Sequence, residues 1–492
     1  MVRPVRLSLI ALSVVLMLFT MQIGVSAKKR NVKKKSKAAR SVPIFVIPMA
    51  PQRVPVIVAA PVLTPTVRDS SLLHMSAPSQ ATRQSAPSVP SAPATGSGSG
   101  VGAGDNEKRP AWYRFNPNAP TAGSLVISEF RLRGPSGAND EFIEIYNDSG
   151  ADHTVAAGSG TGYAVAASDG TTRCSIPNGT VIPARGHFLC TNSVAYSLGG
   201  YATGDATYAL DIPDNAGIAL FNNNSGGGAY SLANRFDAVG STSEANTTYK
   251  EGTGYPALTP FSIDYAFVRD ACGQQGSITN LTKCPLTTGV ADTDNNAVDF
   301  YFVDTNGTSA GAGQRLGSPG PENLASPIQR NASFAVGLPD TCVAGSLPPN
   351  QIRDLTSVPA QNSTFGTIEL RRTVVNNTGA NVTRLRFRVT QQTTFPAPSG
   401  TADLRTRTTA DTTDNFSVLP CGTGTSVVTV LGTTLEQPPS QPNGGAFNGT
   451  FSVGTVTLGT PIPPGNQIIV RMLWGVQQTG KFRVGLNIEI LP

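Results

Sequence analysis

Three glutamates have the residue type and spacing for acid–base chemistry. Glu129, Glu141 and Glu144 follow one another closely in the chain, and a pair of carboxyl groups is the catalytic equipment of most glycoside hydrolases. The strands predicted around them are short, however, and indicate no substrate cleft. We therefore expect structural roles for these glutamates, and no catalytic residue is predicted.

No other pattern points to catalysis. The chain has three histidines, His74, His153 and His187, and none is paired in the sequence with a nucleophile. No glycine-rich loop has the spacing of a phosphate-binding Walker motif. We predict that the protein is not an enzyme and that it has no cofactor, apart from a calcium ion if the acidic segment 292–299 binds one.

The segment 292–299 has the composition of a cation-binding loop. Its candidate ligands are Asp292, Asp294, Asn296 and Asp299, and such oxygen donors suit Ca²⁺, which takes about six to eight of them. The segment lacks the glycine and the distal glutamate of a helix–loop–helix calcium site. Aspartate and asparagine also cap turns without a metal, so a calcium site and a structural turn both remain open.

The six cysteines favour disulfide bonds, because an even number accompanies a predicted secretion signal. Nearness in the chain suggests the pairs Cys174–Cys190, Cys272–Cys284 and Cys342–Cys421. The first pair would link two neighbouring strands. None of the pairs has the C-x-x-C spacing of a zinc or redox site, so structural bridges are expected, while the sequence leaves other connectivities open.

Three arginines alternate along one predicted strand. Arg384, Arg386 and Arg388 share one face of the segment 382–390, and apolar residues share the other. A site for single-stranded nucleic acid would interleave aromatic side chains for base stacking, and this face has none. We predict a solvated outer face and no specific nucleic-acid partner.

The N-terminal residues predict export. Residues 1–27 have a positively charged start, an apolar run over 7–21 and a small-residue cleavage pattern at 25–27, as in a secretory signal peptide. Residues 28–40 are strongly basic and could contact an anionic surface. We expect a cleaved signal and a secreted or cell-surface protein, with an uncleaved membrane anchor as the alternative.

The basic charge is confined to this region. The chain has a net charge of +6, but ten of its 37 basic residues precede position 41, so the remainder is mildly acidic. Residues 41–112 are rich in Pro, Ala, Ser and Gly. Such a segment cannot bury enough apolar surface to offset its ordering entropy, and a disordered linker is predicted.

Composition and pattern predict an all-β protein. Only 14% of residues are charged, and the chain has 51 glycines and 38 prolines. This composition disfavours helical bundles and favours short strands joined by turns. We predict two immunoglobulin-like β-sandwich domains, residues 120–325 and 335–492, with a Pro/Asn-rich join at 317–329.

Two strand pairings are predicted in the second domain. Strands 366–375 and 382–390 are expected to form a hairpin through Asn-Asn-Thr-Gly-Ala-Asn, in which Gly379 can adopt a positive φ. The strand 467–476 is the expected partner of 481–490. The apolar side chains of 481–490, including Phe482, are expected to face inward.

Four segments of the first domain match, in order, the pattern of a known family. A hydrophobic run ending in Ser-Glu is followed by Asp-Glu-Phe-Ile-Glu-Ile-Tyr-Asn within 125–147, and further matches follow at 211–222, 235–240 and 265–300. These segments resemble the lamin tail domain in its secreted bacterial form. The resemblance implies an immunoglobulin-like sandwich in which the glutamates and the acidic segment are structural elements.

These observations predict an exported, non-enzymatic lamin-tail-domain protein that acts as a cell-surface or extracellular binding or adhesion module. The expected partner is an extracellular protein or polysaccharide. A structural envelope component held by the basic segment is one alternative, and an accessory protein of an extracellular hydrolase is another.

Overall fold

The computed structural model describes residues 125–257, 262–270, 290–305, 315–392, 402–436, 447–480, 482 and 484–491. All of them belong to one compact unit, Asp69–Pro492. The predicted signal peptide, basic segment and linker, and the predicted Cys272–Cys284 bridge, lie outside the described residues. Within the described ranges the single α-helix is α1 (Asn296–Asp299), and the all-β prediction is confirmed.

The N-terminal sandwich contains thirteen of the described strands. They are β1 (Leu125–Arg131), β2 (Phe142–Asn147), β3 (His153–Thr154), β4 (Gly162–Ala167), β5 (Thr172–Pro177), β6 (Val181–Ile182), β7 (His187–Asn192), β8 (Ala206–Tyr208), β9 (Ile218–Phe221), β10 (Arg235–Val239), β11 (Tyr265–Arg269), β12 (Phe300–Asp304) and β13 (Arg315–Leu316). Short 3₁₀ helices occupy Gly227–Ala229, Leu232–Asn234 and Thr247–Tyr249.

Two sheets of these strands pack face to face. The larger sheet has the order β13-β12-β11-β1-β2-β7-β8, the smaller has the order β10-β9-β4-β5, and β3 pairs with β6 separately. Because side chains alternate between the faces of a strand, Leu125 and Ile127 of β1 meet Val165 of β4 in a shared core. The opposite face of the larger sheet carries Glu144 and His187, which contact Glu322 of the join between the sandwiches.

The predicted disulfide Cys174–Cys190 is present. Cys174 lies on β5 and Cys190 on β7, and these strands belong to different sheets. The bridge therefore crosses the core between the sheets. The expectation that it links two neighbouring strands is wrong, because nearness in the chain does not report which sheet a strand joins.

The C-terminal sandwich contains the other twelve described strands. They are β14 (Ile328–Gln329), β15 (Phe334–Gly337), β16 (Gln351–Asp354), β17 (Thr367–Asn376), β18 (Arg384–Gln392), β19 (Asp403–Arg407), β20 (Thr412–Ser417), β21 (Thr425–Val430), β22 (Thr434–Glu436), β23 (Thr450–Ser452), β24 (Gln467–Gln478) and β25 (Val484–Leu491). Further 3₁₀ helices occupy Asn331–Ser333 and Pro359–Gln361.

These strands form two five-stranded sheets and a separate hairpin. One sheet has the order β14-β25-β18-β23-β22, and the other has the order β15-β17-β24-β19 with β16 added on β17. Trp474 of β24 and Phe451 of β23 meet edge to face in the core between the sheets, with ring centroids 5.7 Å apart. The hairpin β20–β21 is a two-stranded sheet of its own.

Both predicted pairings in this sandwich are wrong. Strands β17 and β18 belong to different sheets, and so do β24 and β25. The turn after β17 contains Gly379 at φ +80° as expected, but the chain crosses to the opposite sheet there. The alternation of apolar and polar residues identifies the buried face of a strand. It does not identify the sheet that the strand joins, because strands of both sheets in a sandwich show the same alternation.

The predicted inward position of Phe482 is also wrong. Its side chain is 40% exposed, and the strand β25 begins only at Val484. Ile488 and Ile490, further along the same strand, are buried as expected.

Candidate functional site

Two of the three predicted acid–base candidates lie side by side on the outer face of the seven-stranded sheet. Glu129 of β1 and Glu144 of β2 are register partners. The Glu129 carboxylate accepts hydrogen bonds from the Gly320 amide at 2.8 Å and from Asn448 Nδ2 at 2.9 Å. Glu144 accepts hydrogen bonds from the Ser128 hydroxyl and, at 2.6 Å, from the amide of Glu322.

Residues of the C-terminal sandwich complete a buried group of charges around these glutamates. We call it the interdomain charge cluster, and its members are Glu129, Glu144, His187, Glu322, Arg386, Arg388 and Glu489. Arg386 contacts both Glu322 and Glu489. Arg388 lies 2.7 Å from Glu489 and 2.9 Å from Glu322.

The predicted join at 317–329 passes through this cluster. Glu322 is the charged residue of the join. Gly320 packs closely against Arg388, since a Cβ atom at position 320 would lie 2.7 Å from Arg388 Nη1. The Arg388 guanidinium also donates to the Gly320 carbonyl oxygen at 3.1 Å. The join is therefore part of the contact between the sandwiches.

The prediction of a solvated arginine face is wrong for two of its three residues. Arg386 and Arg388 are 3% and 8% exposed, whereas Arg384 remains on the surface and pairs with Glu436 at 2.7 Å. Alternation correctly separates the apolar face of β18 from its polar face. It does not reveal that the N-terminal sandwich covers the polar face of β18.

Burial strongly perturbs the titration of the cluster. Desolvation raises the pKa of Glu129 to about 7, and it raises the pKa of Glu144 well above its ordinary value with a further contribution from the neighbouring Glu129 charge. The pKa of His187 is held well below 6.5, first by burial and then by the nearby Arg388 and Arg386 charges. His187 is therefore neutral at pH 7.

The cluster also contains a set of possible metal ligands. His187 Nδ1 lies 3.3 Å from Glu322 Oε2, and His187 Nε2 lies 3.7 Å from Glu144 Oε1. Imidazole with carboxylates is a ligand set for Zn²⁺. Arg386 and Arg388 both pair with Glu322, so this carboxylate already has two cationic partners in the contact between the sandwiches.

The third acid–base candidate lies elsewhere. Glu141 is buried and accepts hydrogen bonds from Asn192 Nδ2 and from the Ile212 amide, both at 2.8 Å. Burial raises its pKa to about 8. Its two hydrogen bonds tie the segment before β2 to two other segments of the chain.

The four predicted calcium ligands make different contacts with the surrounding protein. Asp299 accepts hydrogen bonds from the amide and hydroxyl of Thr293, which is turn capping. Asn296 Oδ1 accepts from the amides of Gly240 and Glu251. Asp292 Oδ1 lies 3.3 Å from the Arg269 guanidinium, which also lies 3.7 Å from Asp299 Oδ2. Asp294 has a backbone φ of +58°.

A disulfide holds together the surface segments that carry several exposed apolar side chains. Cys342 pairs with Cys421 as predicted, and the Ser417 amide donates to Asp340 beside the bridge at 2.8 Å. We call the hairpin β20–β21, its connection and the segment 340–350 the hairpin tip. Its exposed apolar residues are Leu347 (53%), Val418 (41%), Leu419 (67%) and Val427 (69%).

The two disulfides of the described residues are consistent with an extracellular location, because such bonds persist in oxidising compartments. Among the described residues, no helix has the length and the apolar character to cross a membrane. No protein-family model, curated protein or solved structure matches the chain.

Proposed function

We propose that this chain is an exported, non-enzymatic binding protein of the cell surface or extracellular space. Its two sandwiches would be immunoglobulin-like, the first of them of the lamin-tail type. The hairpin tip is the proposed contact surface, and its partner is an extracellular protein or polysaccharide. The observation that carries the proposal is the group of exposed leucine and valine side chains on disulfide-linked segments.

The state of the acidic candidates supports a non-enzymatic role. Glu129, Glu141 and Glu144 are at most 3% exposed, and each accepts hydrogen bonds from backbone amides or neighbouring side chains. A general acid or base must reach its substrate within hydrogen-bonding distance or through one water molecule. These three carboxyl groups face neighbouring protein groups instead.

The hairpin tip has the properties of a recognition surface. Apolar side chains on its surface can contribute about 1.5–3 kcal/mol each when a partner buries them. The Cys342–Cys421 bridge restrains the segments that carry them, which lowers the entropy lost on binding. An aliphatic surface of this kind favours a protein over a highly hydrated polysaccharide.

The test is a binding isotherm of the labelled mature chain, residues 28–492, on intact cells of the organism that produces it. We expect saturable binding that the double variant Leu419→Ser/Val427→Ser weakens by about tenfold or more, since each variant position loses apolar surface that contributes up to about 1.5–3 kcal/mol when fully buried. Leu458→Ser is the matched control, because Leu458 is 85% exposed in another loop of the same sandwich.

Three outcomes would contradict the proposal. Equal losses in the tip and control variants would remove the hairpin tip as the contact surface. Sedimentation with the envelope without saturation would indicate a structural component. Turnover of glycan or ester substrates that Glu141→Gln abolishes would indicate an enzyme.

A further inference from the structure

We propose that Asp237, Glu251 and Asp292 bind a calcium ion in the N-terminal sandwich. This site differs from the loop set that the sequence suggests, because it retains only Asp292 from that set. The inference concerns the sandwich itself and does not depend on the proposed binding function.

The three carboxylates come from separate parts of the chain and converge. Asp237 lies on β10, Glu251 follows the 3₁₀ helix Thr247–Tyr249, and Asp292 precedes α1. One carboxylate oxygen from each residue lies within 4.8 Å of the corresponding atoms of the other two. Ca²⁺–oxygen bonds are about 2.3–2.6 Å long, so two ligand oxygens of one ion lie at most about 5 Å apart, and the observed spacing is compatible with a shared ion.

Glu251 supplies an independent indication of a missing partner. Its side chain is 4% exposed, and its Oε1 accepts a hydrogen bond from Arg235 at 3.0 Å. Its Oε2 is buried and has no hydrogen-bond partner. A buried carboxylate oxygen without a partner is costly, and a cation at the cluster would supply that partner.

The local charge balance leaves room for a divalent ion. The carboxylates of Asp237, Glu251, Asp292 and Asp299 are accompanied by the guanidinium groups of Arg235 and Arg269. In their ionised forms, the four carboxyl groups carry two more charges than the two guanidinium groups. Burial, and then the Asp237 and Asp292 charges, raise the pKa of Glu251 well above its ordinary value. One divalent cation cancels the excess negative charge in a region where an uncompensated charge is expensive.

Arg269 already places a positive charge next to two of the three proposed ligands. Its guanidinium lies 2.6 Å from Asp237 Oδ2 and 3.3 Å from Asp292 Oδ1. It also donates to the carbonyl oxygen of Ile127 at 2.8 Å. Its ion pairs are with Asp237, Asp292 and Asp299, and the hydrogen bond to Glu251 Oε1 comes from Arg235. Glu251 Oε2 is therefore left for another cation.

The donor set and its exposure favour calcium over other metals. All three side chains offer oxygen, and hard cations such as Ca²⁺ prefer oxygen ligands. Asp292 is 32% exposed, so ions and completing water molecules can reach the site from solvent. Calcium accepts irregular and partly hydrated coordination more readily than Mg²⁺ does.

Asn296 is a positioning residue for this site. Its Oδ1 accepts hydrogen bonds from the amides of Gly240 and Glu251, and its Nδ2 donates to the carbonyl oxygen of Ala238 at 2.8 Å. One buried side chain thus holds the segments that carry Asp237, Glu251 and Asp292 together. Within the segment 292–299, Asn296 therefore has a structural role.

The test is isothermal titration of the chelator-treated full chain with CaCl₂, accompanied by thermal unfolding with and without calcium. We expect one saturable site and a rise in Tm on calcium addition, because a ligand that binds only the folded state stabilises it. Glu251→Gln and Asp292→Asn should each weaken calcium binding by about tenfold or more, since affinity follows ligand charge.

Asp294→Asn is the matched control, because Asp294 lies in the same loop outside the proposed ligand set and asparagine tolerates its positive φ. Its calcium affinity should stay within about twofold of the wild type, as expected for a change outside the ligands. The proposal would be overturned if the wild type did not bind calcium or bound MgCl₂ more tightly. It would also be overturned if Asp294→Asn lost calcium affinity while Glu251→Gln retained it. If Glu251→Gln does not fold, the calcium affinity of Asp292→Asn tests the ligand assignment.

Discussion

Burial changes the chemical character of individual carboxyl groups in this protein. Glu129, which the sequence presents as an ordinary acidic residue, is enclosed by Gly320, Asn448 and the Arg388 charge. Its hydrogen bonds favour the charged form, but desolvation outweighs them and raises the pKa. Protonation of Glu129 is thereby coupled to folding.

Replacing Glu129 with Gln should remove part of the pH dependence of stability. The pKa of Glu129 rises from 4.5 to about 7 on folding, so the folded state binds the proton more tightly. The resulting stabilisation is fully present below pH 4.5 and is lost as the pH rises through 7. Its size is up to about 3 kcal/mol.

Urea unfolding of the wild type and of Glu129→Gln between pH 4 and 8 measures this effect. His187, with a lowered pKa, contributes an opposite slope below pH 6.5, so the difference between the two proteins is the relevant quantity. We expect the wild type to lose stability relative to the variant as the pH rises. A constant difference would show that Glu129 does not change its protonation on folding.

At the scale of the element, β18 shows how one strand serves two different contacts. Leu385 and Phe387 face the core of the C-terminal sandwich. Arg386 and Arg388 lie on the opposite face of the strand, where they pair with Glu322 of the join and with Glu489 of β25. Arginine is suited to this position, because its guanidinium forms several directed hydrogen bonds at once.

Replacing Arg386 with Ala should strongly destabilise the protein, because the buried carboxylates of Glu322 and Glu489 would lose a cationic partner. We expect a decrease in the free energy of unfolding of about 3–5 kcal/mol. Arg384→Ala, two positions earlier on the same strand, removes an exposed ion pair and should cost less than about 1 kcal/mol. Equal effects in denaturant unfolding would mean that the interdomain charge cluster contributes no net stability.

At the scale of the whole molecule, the two sandwiches share a buried polar contact. Beyond the interdomain charge cluster, Tyr301 packs edge to face on Phe447 with ring centroids 5.2 Å apart. Tyr201 and Thr450 approach within 3.3 Å through their hydroxyl groups. If one sandwich unfolded alone, the charged face of the other would lose these partners.

The described sandwiches should therefore unfold together. We expect one calorimetric transition whose van't Hoff and calorimetric enthalpies agree, with the tryptophan fluorescence, to which Trp474 of the C-terminal sandwich contributes, changing at the same temperature. In Arg386→Ala the transition should broaden or divide, because the contact between the sandwiches is weakened. Two separate transitions in the wild type would show that the contact does not couple the sandwiches.

Several features follow from the sequence alone. Short alternating runs and abundant turn residues predict an all-β chain, since the period of two depends only on strand geometry. Two cysteine pairs are correctly given by nearness in the chain. The positive φ at Gly379 follows from a local steric preference of glycine.

Tertiary structure decides what lies opposite each strand face. The sequence does not indicate that β17 and β18 enter different sheets, that Arg386 is buried, or that Asp237 and Glu251 approach Asp292. These contacts join residues far apart in the chain, and the same local pattern is compatible with many such arrangements. Solvent exclusion by the second sandwich, rather than the local sequence of β1, determines the chemistry of Glu129.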